Sequence, residues 1–419
     1  MGSVDEEAPR APVGRADGLR GRLSRRRSLG TPLVVVSACV ASVQMSWSLV
    51  VPVLPVYARD FGLNAAQLGL VVAVFGVGRL LVNIPAGLLS ERVDRRWLLL
   101  TSAVAVVGGQ VLTGFAVNYP TLVGARLVTG LAGGVAITSG MALLADLTTP
   151  ATRGRDMSTL QGFQLAGGAL GPVFGGLLYM GFGARATFLL SGATALLVVG
   201  WAYRVLRRVK TSVNRRDRRS QPKQSWLTRD VLGVCLLGFS VFFHRFGGLQ
   251  ALVPLIAYGW AGVSVGQLGL LLGAITVCNI VVVRFAGGLS DRIGRKRVIV
   301  PAMAVVALGC AGLAVTDSSP AFVIATLVTG VAAGFSGPTP AAYLVDVTPR
   351  TARGTVTGVY RTFGDLGGII GPLLLGFLVD VSGEASAALA LAGVMVIMTT
   401  AFSLLSRETT GPHRVLTHS

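Results

Sequence analysis

The sequence predicts an all-α membrane protein of twelve transmembrane helices, arranged as two pseudo-symmetric six-helix halves. Hydrophobic residues make up 52% of the 419-residue chain, charged ones only 13%, and mean hydropathy is +0.68. A water-soluble protein of this length needs far more charge to cover its surface. Apolar runs of about 20 residues, the length that crosses a bilayer, lie near 31–57, 66–90, 97–117, 121–145, 157–180, 184–206, 230–258, 266–289, 297–316, 320–344, 354–380 and 384–405. They lack the strict alternation of a β-barrel strand and are too long for one.

The halves share a register. One constant offset aligns Gln67-Leu68-Gly69-Leu70 with Gln267-Leu268-Gly269-Leu270, Thr129-Gly130 with Thr329-Gly330, and Asp146 with Asp346. The same offset aligns Arg153-Gly154 with Arg353-Gly354 and Gly171-Pro172 with Gly371-Pro372. A register held through separate segments is a duplication, and paired halves are the architecture of secondary transporters.

In chain order, residues 1–30 mix Pro, Gly, acids and arginines without apolar periodicity and are expected to be a disordered tail. The first apolar run is about 26 residues long against roughly 7–15 for a signal-peptide core, so it reads as a span. The first bundle then occupies 31–206, a polar linker 207–229, the second bundle 230–405, and a short tail 406–419.

The charge sets the orientation. Of 37 Lys and Arg, 30 fall in the two tails, the linker and the even-numbered loops, and the opposite loops hold only Arg59 and Arg185. The positive-inside rule places both termini in the cytoplasm and the chain in a plasma membrane. The net charge of +19 is thus a topology signal and a contact for anionic lipid, and no nucleic-acid partner is expected. Basic residues are almost all Arg, with Lys only at Lys210, Lys223 and Lys296, which suggests a bacterial source of high GC content.

The four cysteines, Cys39, Cys235, Cys278 and Cys310, all sit inside apolar runs without CxxC spacing or clustered His, so no disulfide, metal or cofactor is expected. Hydrolase-elbow, HExxH and P-loop patterns are missing, which argues against an enzyme and leaves an ion gradient as the energy source.

Two motifs carry more. After the second span comes Gly87-Leu88-Leu89-Ser90-Glu91-Arg92-Val93-Asp94-Arg95-Arg96, and after the eighth Gly287-Gly288-Leu289-Ser290-Asp291-Arg292-Ile293-Gly294-Arg295-Lys296. Such a loop needs Gly where two helices approach, an acid that can face a helix N-terminus, and arginines to hold acids at neighbouring helix ends. In the fifth span, Gly167, Gly171, Pro172, Gly175 and Gly176 form a flat face that another helix can approach closely, with Pro172 as a bend.

The loop resembles the signature of the major facilitator superfamily, and the resemblance covers 31–405. It implies the major facilitator fold and a cytoplasmic gate made of Gly87, Glu91, Arg92, Arg95 and Asp146, with Gly287, Asp291, Arg292, Arg295 and Asp346 in the second half. Glu91 and Asp94 replace the usual Asp and turn Gly, so the second copy is the cleaner. The Gly-Pro face resembles the family's antiporter motif, typical of exporters. Val51-Pro52-Val53-Leu54-Pro55 with Tyr57 and Gln67-Leu68-Gly69 resembles the start of the twelve-span drug:proton antiporter branch.

Charges inside spans mark function by default. They are Arg79, Arg126, Arg245, Arg284, Arg361 and Asp365. Arg126 resembles the fourth-span arginine that the family links to proton coupling. Asp365 is the one acid well inside a span. Burial would raise its proton affinity, but Arg361 one turn earlier would hold it as a fixed ion pair, so both readings stay open. Arg79 lies about 18 Å along the helix from Glu91 and cannot easily reach the interface, whereas Arg284 is near enough to snorkel. Gln44, Trp47, Gln161, Gln164, His244 and Arg245 are candidates to face a cavity. The expected function is proton-coupled efflux of a small lipophilic drug or secondary metabolite by a monomer. The alternatives are export or exchange of an organic anion and, further off, a lipid flippase or a receptor.

Overall fold

The computed structural model describes residues 15–149, 152–209, 227–349 and 352–409. The first half contains α1 (Arg15–Ser48), α2 (Val50–Arg59), α3 (Ala65–Arg92), α4 (Arg95–Gly114), α5 (Tyr119–Leu147) and α6 (Arg153–Leu206). The second contains α7 (Arg229–Phe242), a π-helical segment (Phe243–Leu252), α8 (Val253–Tyr258), α9 (Val265–Ile293) and α10 (Arg295–Val315), then α11 (Ser319–Phe335), α12 (Pro338–Val347) and α13 (Arg353–Leu405). With α1 and α2, α7 to α8, and α11 and α12 each running on as one, the described residues form ten stretches long and apolar enough to cross a membrane. Two of them, in α6 and α13, run to 53 and 51 residues, about 80 Å against a hydrocarbon core of about 30 Å.

Each long helix contains one glycine outside helical geometry, Gly183 (φ 75°) and Gly383 (φ 83°). A side chain disfavours that left-handed backbone, and there the chain turns back. Leu160 and Leu206, on either side of Gly183, return to the same core as Val36. Ten stretches therefore supply twelve crossings. The outer faces are apolar, with Leu197, Leu308 and Leu404 exposed by 75%, 72% and 81%. This reverses the pattern of a soluble protein and suits lipid.

The repeat governs packing. In the first half α1 packs on α6 and α3 on α5; in the second, α7 and the π segment pack on α13, and α9 on α11. The halves meet through α3 against α13 and α6 against α9. Matching capping boxes open α3 (Asn64 with Gln67) and α9 (Ser264 with Gln267), each satisfying two helix-end N–H groups.

One expectation changes. The tail 1–30 was expected to lack structure, yet α1 begins at Arg15. A formed span removes the nucleation cost of helix, and Arg and Leu propagate it well. Residues 1–14 and 210–226 of the expected tail and linker, and 410–419 of the C-terminal tail, lie outside the described residues.

The hydrogen bonds seen to join the halves lie at mid-depth or at the end away from the basic loops. At that far end Asp380 accepts from the backbone N–H of Ala65 and Ala66 at 3.0 and 2.8 Å, capping α3 from the other half. Tyr258 donates to the Pro52 carbonyl at 2.5 Å, and Arg59 to the Tyr258 carbonyl at 2.9 Å. These contacts join the halves at the end away from the basic loops.

Candidate functional site: a charged aromatic cavity between the halves

A cavity with about 550 Å³ of empty space, part of it open to solvent, lies at mid-depth between the halves. Gln44 and Trp47 of α1, Phe75 and Arg79 of α3, and Phe242 with Arg245 of the second half are among its walls. Its aromatic side is continuous: Trp47 stacks on Phe75 at 5.5 Å and meets Phe246 at 5.4 Å, and Phe246 stacks on Phe242 at 6.0 Å. The π-helical segment helps build it. Its wider turn, a form frequent at functional sites, brings Phe242, Arg245 and Phe246 to the cavity together. Gly247 behind them lets Gly371 of α13 approach so closely that a Cβ would come within 2.7 Å of backbone.

Three arginines sit over these rings. Arg79 lies 5.6 Å from the Phe242 centroid and 5.4 Å from that of Phe246, Arg126 5.3 Å from Phe75, and Arg245 5.6 Å from Trp47. Cation–π contact of this kind stabilises a partly desolvated guanidinium. Only Arg79 also has a carboxylate: it donates through Nε at 3.0 Å and through Nη2 to Oδ1 of Asp365. Asn83, one turn on, donates to Oδ2 at 2.6 Å. Asp365 is 3% exposed and is the one buried acid among the described residues.

The partner of Asp365 is therefore Arg79 across the half interface, and the pair with Arg361, one of the two readings left open, does not form. Arg361 is exposed on α13, and the described bonds of Asp365 go to Arg79 and Asn83 instead. Arg79, too deep in its span to reach the membrane interface easily, finds its counter-charge in the opposite half. Of the cavity candidates, Gln44, Trp47 and Arg245 line the wall. His244 does not: it is 2% exposed and packs beside Gly248 and Leu391. Gln161 is exposed and Gln164 half-buried on α6, outside the lining. Arg126 is 3% exposed, behind Phe75, and its Nε and Nη1 find no hydrogen-bond acceptor.

The signature loops keep their arginine pairs within each half. Arg95 binds Asp146 at 2.5 Å and the Ser90 carbonyl at 3.1 Å, and Arg295 pairs with Asp346 and, at 3.0 Å, with Asp291. Asp291 faces Arg295 rather than a helix N-terminus. Arg92 and Arg292 are exposed, and the Glu91 side chain lies outside the described residues. The close helix approach expected at Gly87 and Gly287 is not made: a Cβ at either would meet nothing within 4 Å. These loops stand at the opposite end from the Asp380 and Tyr258 contacts.

The glycine face of α6 behaves as its spacing implies. Cβ atoms at Gly167, Gly171 and Gly175 would run into the backbone or side chains of Ala41, Ser48 and Leu49 in the first span. A Cβ at Gly176 would come within 2.8 Å of the Val265 carbonyl in the other half, and one at Gly269 would meet the Pro172 carbonyl. Gly367, Gly371 and Gly376 repeat this in α13 against Phe239, Phe243 and Ala65. Sequence reasoning missed Phe75, Phe242, Phe246 and Asn83. A signal existed: Arg79 and Asn83, like Phe242 and Phe246, stand four residues apart on one helical face.

Two pseudo-symmetric bundles around a buried, charged cavity, sealed at one end, define a secondary transporter. The family model described as Major Facilitator Superfamily matches residues 36–263 and 234–418, and the chain belongs to that family. Multidrug resistance protein 2 of Bacillus subtilis (strain 168) is 24% identical over 344 residues, 80% of this chain and 85% of the relative. Multidrug resistance protein MdtG of Rahnella sp. (strain Y9602) is 27% identical over 341 residues, 78% and 82% of the two chains. Among solved structures, a bacterial homologue of the human lysosomal transporter Spinster, inward-facing and occupied, aligns with a TM-score of 0.77 at 14% identity, covering 89% of this chain and 96% of that one.

Proposed function

We propose that the chain is a proton-coupled exporter of small lipophilic compounds that works by alternating access. The Arg79–Asp365–Asn83 cluster carries this reading. The one buried acid is also the mid-depth tie between the halves, so its protonation state is linked to the state of the cavity. A proton on Asp365 removes the charge that holds Arg79, which weakens the tie and favours a change of state; loss of the proton restores it. The relatives named for multidrug resistance and the exporter-type glycine face of α6 support export and a lipophilic cargo.

With the basic loops in the cytoplasm, the sealed end faces outward and the structure corresponds to an inward-facing state. The signature loops, with Arg92, Glu91, Asp291 and Arg292, are then latches that engage when the cytoplasmic end closes. Orientation is checked by an impermeant thiol reagent on intact cells in a cysteine-free background. Asp60→Cys is expected to label and Ser220→Cys to stay unlabelled; the reverse pattern overturns it.

The function is tested in everted vesicles carrying a pH-sensitive dye and a mixed panel of lipophilic cations, neutral compounds and organic anions. A cargo-induced collapse of the proton gradient that the Asp365→Asn protein does not show is the expected result. Cargo movement indifferent to the gradient removes proton coupling.

A further inference from the structure

We infer that the cargo is a flat lipophilic anion, an aromatic carboxylate or sulfonate, whose charge is taken by Arg245 and whose ring lies against Trp47. This rests on the reading that the mid-depth cavity is the cargo site, and it names the chemistry that the cavity selects.

The charges around the cavity do not balance. Three guanidiniums, of Arg79, Arg126 and Arg245, sit over its aromatic rings, and one carboxylate answers them. That carboxylate is used on both oxygens, Oδ1 by Arg79 and Oδ2 by Asn83. A cationic cargo finds no free carboxylate here and meets two further positive charges. Arg245 makes no hydrogen bond or ion pair among the described residues, and it is exposed to the cavity that it lines. Its one described contact is the face of Trp47 at 5.6 Å, which leaves the guanidinium edge free.

Arg126 deepens the imbalance. It is 3% exposed, its Nε and Nη1 are unbonded, and it makes no ion pair among the described residues. One ring behind the wall, it adds positive potential to a site of low dielectric, where fields are focused. Buried cations without partners are costly unless something completes them. An anion entering the cavity does so at Arg245, while the Trp47–Phe75 and Phe242–Phe246 surfaces offer stacking faces for a planar body.

The test uses one ring with three charges. Naphthalene-2-carboxylate, naphthalene-2-carboxamide and 2-naphthylmethylammonium are titrated calorimetrically at pH 7 into the detergent-solubilised full-length protein. The carboxylate is expected to bind at least tenfold tighter than the amide, and the ammonium more weakly than either. Arg245→Gln is expected to bring the carboxylate down to the level of the amide, and Arg245→Lys to keep part of the preference. Should Arg245→Gln fail to fold, the order of the three ligands on the native protein still decides. Ammonium binding as tight as the carboxylate, absence of binding by all three at millimolar concentration, or a preference that survives Arg245→Gln overturns the assignment. Carboxylate-selective binding without gradient collapse in vesicles would remove proton antiport and leave the anion site standing. Gradient collapse by cationic cargo alone would do the opposite.

Discussion

At the start of α4 the first signature loop caps itself: Asp94, with φ −58°, accepts from the Arg96 backbone N–H at 3.0 Å and pairs with the Arg96 side chain at 2.7 Å. At the equivalent point of the second half stands Gly294 with φ +118°, which offers no side chain, and Glu408 from the C-terminal segment takes the place of the missing cap. Glu408 accepts from Lys296 N–H at 3.3 Å and Arg297 N–H at 3.2 Å, while Lys296 Nζ reaches the carbonyls of Ser403 and Ser406. The far end differs in the same manner. Asp380 caps α3, but its counterpart in the first half is Met180, whose thioether lies against Gly266 at the start of α9. At the cavity, Asp365 and Arg79 correspond to Leu165 and Asn279. The repeat preserves how helices approach each other, together with the capping boxes and the Arg95–Asp146 and Arg295–Asp346 pairs, while the Asp365–Arg79 pair of the cavity stands in one copy. Symmetric glycines make the scaffold and unpaired charges make the site.

The largest test of that division is Asp365→Asn. A neutral amide leaves Arg79 in the cavity without its counter-charge, and breaking such a pair costs up to about 3–5 kcal/mol when fully buried. Because Arg79 is 21% exposed, a smaller loss of stability is expected. Gradient-driven efflux is expected to disappear while binding of cargo remains measurable. Adding Arg79→Gln is expected to restore thermal stability but not efflux. A double variant no more stable than the single one would show that the pair does not couple the halves.

Next in size is the scaffold. Gly171→Leu puts a side chain into Ser48 and Leu49 of the first span, an overpacking worth about 1–3 kcal/mol, and Gly371→Leu meets Phe243 and Gly247 in the same manner. Both are expected to lower the yield of monodisperse protein several-fold. Gly168→Leu, one residue off the face with nothing within 4 Å, is expected to leave it unchanged. Equal losses at Gly168 and Gly171 would mean that helix propensity, not interhelical contact, sets the effect.

These cases show what a sequence carries by itself. The Gly167–Gly176 face was legible because its spacing and its packing are both properties of one helix. The Asp365 site was legible only as a buried acid; its partner was not. Arg361 stood at the right local spacing, but it is exposed and does not pair with Asp365, and Arg79 came from a helix 286 residues away in sequence. Side chains that meet across a half interface leave no periodic signal in either half. His244 and Arg245, adjacent in sequence, part for the same reason: the π-helical turn sends one into the packing and the other into the cavity.

A smaller effect is expected at the sealed end. Asp380 is exposed, so its cap on α3 is worth about 0.3–1 kcal/mol. Asp380→Asn is expected to shift the population of sealed molecules no more than several-fold, read as faster labelling of a cysteine introduced at Gln44 from the side of the Asp380 cap. Labelling unchanged from the native protein would leave the seal to the Tyr258–Pro52 contact and to helix packing.

The smallest effects fall at the two signature loops, where they separate the self-capped copy from the tail-capped one. Removing an N-cap acceptor costs about 1 kcal/mol, so Asp94→Ala and Glu408→Ala are expected to lower stability by similar, modest amounts. Their reach differs. Asp94 acts within its own loop, and its loss is expected to speed hydrogen exchange only in the first turn of α4. Glu408 holds the C-terminal segment against α10, and Thr409 beside it donates to Asp346 at 3.3 Å. Glu408→Ala is therefore expected to speed exchange in the first turn of α10 and to expose the chain after Ser406 to limited proteolysis. Moving the cap into the loop with Gly294→Asp is not expected to rescue it, because φ +118° is a backbone that a side chain resists. Exchange confined to α10 in the Glu408→Ala protein, with the tail still protected, would show that the tail is held by Lys296 and Arg407 rather than by the cap.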